Sequence, residues 1–278
     1  MSIPVVILAG GLGTRLREET EFRPKPMVEV GGKPIIWHIM STYAAYGHTR
    51  FVVCLGYKGD TIRDYFLNYR VRSSDFTVTL GTSQLQVHNG HSEHGWRVTL
   101  AETGLKTNTG GRLRRIAKYI HGDLFMVTYG DGVANVDIPK LLACHREHGK
   151  LATVTAVRPT SRFGELRVNG GLVSSFEEKS QAHDSWVNGG FIVMHKSVLE
   201  TVRGDDENLE VDILKKLADA GELAVYHHDG FWQCMDTFRE VELLNRLWDA
   251  GDPPWVVQPE PGVEPVMHGV LAIATGRR

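Results

Sequence analysis

The 278-residue chain is poor in cysteine, in excess charge of either sign and in long apolar runs. Its three cysteines, Cys54, Cys144 and Cys234, are odd in number, far apart and without CxxC spacing, which argues against a zinc ribbon or a disulfide scaffold. Lysine and arginine number 31 against 33 acidic residues, a formal net charge of -2. A nucleic-acid-binding domain normally shows a clear basic excess, so no nucleic-acid partner is expected. No apolar run reaches the roughly 18–20 residues of a membrane span. The start, MSIPVVILAGG, lacks the basic n-region of a signal peptide. The expectation is a soluble cytoplasmic protein with no membrane partner. Two familiar phosphate signatures are missing too. No Lys-Ser/Thr follows the glycines of LAGGLGTRL, as a Walker A loop requires, and a GxGxxG fingerprint begun at Gly11 meets Leu16 where its third glycine belongs.

What is present is an alternation of strand-like and helix-like segments. Residues 4–9 (PVVILA) are apolar and largely β-branched and end at glycines, the pattern of a parallel strand buried on both faces. The runs RFVVCL, LFMVT and residues 152–157 read the same way. Helical spacing of apolar residues covers 34–46, 60–69, 111–120, 137–148, 209–220 and a last helix reaching Trp248. A hairpin over 165–168 and 172–176 turns at Asn169-Gly170-Gly171, and strands are expected at 191–194 and within 225–236. Residues 73–108 are more polar, with short alternating runs, and read as a β-rich insertion. Repeated β-α-β units predict an α/β fold: a mostly parallel sheet with helices on both faces, a single domain over residues 1–255. The Pro-, Gly- and Glu-rich stretch 256–278 reads as an irregular tail.

In such sheets ligands sit beyond the carboxyl ends of the strands, where several unusual polar residues of this chain fall. The glycines of LAGGLGTRL directly follow the first strand, so backbone N–H groups can approach a phosphate without Cβ obstruction, and the arginine ending the loop suits a polyphosphate. The bland alternative is a tight strand-to-helix turn with a solvated arginine. Further on, Arg23-Pro24-Lys25-Pro26 holds a lysine between two prolines that stiffen its backbone. His88, His91 and His94 could in principle ligate zinc, but a polar, glycine-bearing stretch favours exposed loop histidines. Trp232, Trp248 and Trp255 read as packing residues.

LAGGLGTRL followed by RPKPMVEVGGKPIIWHIM resembles the N-terminal signature of the sugar-1-phosphate nucleotidyltransferases. The likeness continues through FVVCLGYKGDTIRDYF, TGGRLRR, VTYGDGVANVDI, FEEKS, VNGGFIV and GFWQCMDT, spanning roughly residues 3–255. GYKG, TGGRLRR and the FWQ-MDT segment point to the cytidylyl branch. The resemblance implies a Rossmann-like mixed sheet and transfer of a cytidylyl group from CTP to glucose 1-phosphate. It implies that Leu8, Ala9, Gly10, Gly11, Gly13, Thr14 and Gly130 wrap the nucleotide, with Arg15 on the β- and γ-phosphates and Lys25 on the α-phosphate. Thr109, Gly110, Gly111 and Arg112 would read the cytosine or brace the nucleotide. Asp131 and Asp236 would share a magnesium ion. Gly164, Glu165, Glu178, Lys179, Asn188 and Gly189 would form the sugar-phosphate side, with Lys179 on its phosphate. An assembly of several identical subunits is also implied. Transferases for another base or sugar, a non-catalytic sugar-nucleotide-binding relative, a dinucleotide oxidoreductase and a glycosyltransferase remain as competing readings.

Overall fold

The computed structural model describes residues 2–257 except 15, 89–92, 94, 160–164, 170–171 and 178–185, and only the backbone at 17, 18, 165–169 and 172–177. Its central sheet has seven strands: β1 (Val5–Leu8), β2 (Arg50–Leu55), β3 (Arg97–Glu102), β4 (Leu124–Tyr129), β5 (Ala152–Val157), β6 (Val187–His195) and β7 (Leu223–His228). Their order across the sheet is β7-β5-β6-β4-β1-β2-β3. All pairings are parallel except those of β6, which runs against β4 and β5. The amino end of β6, with Asn188 and Gly189, therefore lies at the same edge as the carboxyl ends of β1 and β4.

The buried runs explain this sheet. Alternate residues of β1 and β2 enter two separate cores: Val5, Ile7, Phe51, Val53 and Leu55 one, Val6, Leu8, Val52 and Cys54 the other. The first core is covered by α1 (Ile35–Ala45), α2 (Gly59–Leu67), α4 (Ile138–His148) and α5 (Phe238–Asp249). The second is covered by α3 (Thr109–Ile116) and the helical stretch from Leu209 to Asp219. A strand buried on both faces has no polar side to show, which is why these runs are apolar without alternation. Among the described residues no helix is long and apolar enough to cross a membrane.

Three elements differ from the sequence-based expectation. Arg97–Glu102, grouped above with the insertion, is the edge strand of the main sheet, paired with β2. An edge strand is half exposed, so its alternation resembled that of a peripheral hairpin. The insertion itself narrows to a hairpin of Phe76–Thr79 with Gln84–Val87. The segment expected as one helix over 209–220 is a π-helical turn, Leu209–Leu214, running into Lys215–Asp219. Within 225–236 there are two strands rather than one: part of β7, and Trp232–Cys234, which pairs antiparallel with Gly132–Ala134. The backbone of the 165–177 hairpin is present, Glu165 opposite Glu177, while its Gly170-Gly171 turn lies outside the described residues.

Candidate active site

The short ladder of Gly132–Ala134 with Trp232–Cys234 decides where two distant aspartates meet. Cys234 lies opposite Gly132, and the Met235 N–H donates to the Asp131 carbonyl at 2.8 Å. Asp131 and Asp236 therefore leave the same end of one ladder, although more than a hundred residues separate them. Both carboxylates accept from the Lys25 ammonium, Asp131 Oδ2 and Asp236 Oδ1 each at 2.6 Å from Nζ. Lys25 opens a single 3₁₀ turn (Lys25–Met27) after an extended Pro24, with Pro26 and Met27 buried beneath it. The prolines fix the backbone, and the turn aims the side chain at the aspartates. Burial alone would lower the lysine pKa, but the two carboxylates outweigh it and hold it above its ordinary value. Asp236 is steadied from behind. Glu240 Oε2 accepts from the Asp236 N–H at 2.6 Å and the Thr237 N–H at 2.8 Å, closing a capping box on α5.

These groups stand in the wall of a cavity of about 350 Å3 beyond the ends of β1 and β4, a volume of ligand-pocket size. The glycine loop supplies Gly10, Gly11, Gly13 and Thr14 to it, Leu8 and Gly130 close its floor, and Thr109 and Arg112 face them. Ala9 is buried at the end of β1, its N–H bonded to the Cys54 carbonyl at 3.2 Å. Arg112 is only 4% exposed, and its guanidinium donates to Leu55 O (2.9 Å), Thr103 Oγ1 (2.7 Å) and Gly10 O (3.0 Å). It is a staple between the glycine loop, β2 and α3. A Cβ at Gly10 would collide with that guanidinium, which could move aside only by giving up these hydrogen bonds. Gly110 and Gly111 serve packing in a similar way. A Cβ on them would lie 2.7 Å from the Glu207 carbonyl and 2.6 Å from Asp205 Cα, so α3 could not seat against the 205–207 loop.

The residues expected on the sugar-phosphate side are placed in part. Asn188 Nδ2 donates to the Tyr129 hydroxyl at 3.1 Å, Asn188 Oδ1 accepts from the Gly190 N–H at 3.0 Å, and the Gly189 carbonyl accepts from Trp232 Nε1 at 2.8 Å. Tyr129, in the cavity wall, donates its hydroxyl proton to Glu210 Oε1. Burial, with that carboxylate beside it, pushes the Tyr129 phenol above its ordinary range. Glu210, Tyr129 and Glu240 were not among the expected site residues. Thr237 and Glu240 carry the T-x-x-E spacing of a capping box, a legible signal; nothing in the sequence marks Glu210. Arg15, Gly164, Glu178 and Lys179 lie outside the described residues, and Glu165 is described as strand backbone alone. His91 and His94 also lie outside them, and His88 meets the Thr77 hydroxyl at 2.8 Å on the exposed hairpin. Cys234 sits beside Asp236, but burial and the surrounding carboxylates push its thiol up to about 12, so it stays protonated at neutral pH.

The chain matches the family model described as nucleotidyl transferase over residues 4–241. It is 49% identical over 251 residues to the glucose-1-phosphate cytidylyltransferase of Salmonella typhimurium, covering 90% of this chain and 97% of that protein. It is 42% identical over 253 residues to the probable glucose-1-phosphate cytidylyltransferase of Bacillus subtilis, covering 91% and 98%. Among solved structures, HddC from Yersinia pseudotuberculosis complexed with GMP-PN superposes with a TM-score of 0.65 at 24% identity, over 88% of this chain and 98% of that one, a likeness of fold.

Proposed function

The chain belongs to the nucleotidyl transferase family, and from that premise we propose that it transfers a cytidylyl group from CTP to α-D-glucose 1-phosphate, giving CDP-glucose and pyrophosphate. The observation that carries this reading is the convergence of Asp131 and Asp236 on one cation position, Lys25 Nζ, in the wall of the glycine-loop cavity. An oxygen of the sugar phosphate attacks the α-phosphorus of CTP. The new P–O bond forms as the bond to the bridging oxygen breaks, and pyrophosphate leaves with the electron pair. The nucleophile is already ionised near neutral pH, so the site needs no general base. Its task is to align two polyanions and cancel their repulsion, which positioning and fixed charge supply.

The chain's own groups divide that task. The glycine-loop N–H groups and Arg15 take the β- and γ-phosphates, Lys25 the α-phosphate, and Thr109 and its neighbours the base. Lys179 takes the sugar's phosphate, and Asn188, Gly189, Gly164, Glu165 and Glu178 its hydroxyls. Two carboxylates that already share one ammonium are suited to share a metal ion, and an all-oxygen pair completed by phosphate and water suits magnesium. Bound there, magnesium would offset charge on the phosphates of both substrates. With the two carboxylates holding such an ion, Lys25 would be the cation available to the α-phosphate.

The hairpin of Phe76–Thr79 and Gln84–Val87 stands apart from the main sheet and exposes Phe76, Val78, Leu80 and Leu85. A lone two-stranded ribbon is marginally stable in water, which supports a homo-oligomer in which a second copy covers it. The three cysteines are free thiols, which fits the reducing cytoplasm. Pyrophosphate release across CTP, UTP, dTTP and GTP with several sugar 1-phosphates tests the function. Highest kcat/KM for CTP with glucose 1-phosphate is expected; preference for another pair, or binding without turnover, would replace it.

A further inference from the structure

One carboxylate bonded to two residues of the cavity wall, Tyr129 and Thr109, has no part in the reaction derived above. Glu210 lies in the π-helical turn Leu209–Leu214, a helix irregularity often found at functional sites. Its described partners are neutral donors: Oε1 accepts from the Tyr129 hydroxyl, and Oε2 from the Thr109 hydroxyl at 3.3 Å. Those partners both line the cavity and come from different elements, Tyr129 from the end of β4 and Thr109 from the start of α3. The Thr109 hydroxyl in turn accepts from the Leu209 N–H at 2.8 Å. A negative group beside a site built for polyanions costs substrate affinity unless it performs some other task.

An ionised carboxylate only accepts hydrogen bonds, so both hydroxyl protons must point at it. With its proton committed, the Tyr129 oxygen can only accept from Asn188, and it does so at 3.1 Å. The Asn188 amide is held from both sides, Oδ1 by the Gly190 N–H at 3.0 Å and Nδ2 by the lone pair that Tyr129 turns toward it. One N–H and one carbonyl lone pair are left to a ligand in known positions. We propose that Glu210 is a positioning residue that directs the hydroxyl protons of Thr109 and Tyr129, so that Tyr129 faces Asn188 as an acceptor and holds in place the amide that meets the sugar's hydroxyls. This rests on the functional reading above for the identity of the ligand, though the relay itself does not.

The test is Glu210→Gln, whose amide can donate to Tyr129 and free its proton to turn toward Asn188. KM for glucose 1-phosphate is expected to rise about five- to tenfold, the effect of one misplaced hydrogen bond. KM for CTP should stay within about twofold and the melting temperature within a few degrees. Tyr129→Phe should give the same split, and the double variant no further loss, since the two act through one chain. Val211→Ala, exposed on the same turn, should leave both constants unchanged. The side-chain amide resonances of Asn188, identified by their loss in Asn188→Asp, should shift in Glu210→Gln. Unchanged KM and unchanged Asn188 signals would overturn the proposal. So would an equal rise in both KM values accompanied by a large fall in melting temperature, the mark of a simple wall brace. If the unaltered protein releases pyrophosphate from no substrate pair, the functional reading fails instead, and the amide signals still decide the relay.

Discussion

Lys25 is held by two carboxylates, and this makes a prediction about cations at the level of single residues. Lys25→Met leaves Asp131 and Asp236 converging with no charge between them, a costly arrangement that any divalent ion relieves. Its affinity for Mn2+ without nucleotide, followed by the paramagnetic resonance of the free ion, should rise roughly tenfold. Turnover should fall by about a hundredfold or more if, as proposed, this ammonium serves the α-phosphate. Unchanged or weaker metal affinity would show that the lysine does not hold the cation position. Of these three residues the sequence by itself marks only Lys25, between its two prolines; Asp131 and Asp236 pair only through the family resemblance, since a lone aspartate after a strand reads as a turn or cap residue. Arg112 shows where such reading stops. An arginine in a polar glycine-rich motif looks like a ligand-facing cation, and only the packing of three segments around it reveals a buried staple on Gly10, Leu55 and Thr103.

At the scale of elements, the long buried strands could be read because their surroundings leave them no polar side. β2 and β5 occupy the residues their composition marked. The ladder that joins Asp131 to Asp236 could not be read, because its two strands, Gly132–Ala134 and Trp232–Cys234, are three residues each, too short for any periodicity to register. The π-helical turn was equally hidden, since Leu209, Ile213, Leu214 and Leu217 are spaced as an ordinary amphipathic helix would space them. The start of α5 carries the next prediction. Glu240 anchors the N–H groups of Asp236 and Thr237, so Glu240→Ala loosens both the helix end and the aspartate. A loss of about 1–2 kcal/mol in unfolding free energy is expected from the cap. A fall in kcat larger than that in a stability-matched variant elsewhere on α5 should accompany it. Full kcat at the lowered stability would separate the cap from the site.

At the scale of the whole molecule, the two-faced core and the sheet order follow from hydrophobic patterning, while stability near neutral pH also depends on buried imidazoles. His38 is 2% exposed in the first core, its Nε2 2.9 Å from the Val30 carbonyl and its Nδ1 accepting from Trp255 Nε1 at 3.3 Å. Burial lowers its pKa to about 4, and a proton on Nδ1 would oppose the Trp255 N–H. The native state therefore takes up this proton less readily than the unfolded chain. Its contribution is complete above the ordinary histidine pKa and is lost as pH falls from about 6.5 toward 4, by up to roughly 3 kcal/mol. Burial depresses His48 and His145 in the same direction, so the wild-type slope contains all three. Urea midpoints between pH 7 and 4.5 should fall less steeply for His38→Gln than for the wild type; equal slopes would remove His38 from the account.

The claim on which the catalytic account stands is that Asp131 and Asp236 act together on one cation position. Its most direct test is pyrophosphate release from CTP and glucose 1-phosphate at saturating magnesium by Asp131→Asn and Asp236→Asn, each shown to fold by its melting curve. The account predicts that either change lowers kcat by about a thousandfold or more while the fold survives. Near-normal turnover by either folded variant would contradict it.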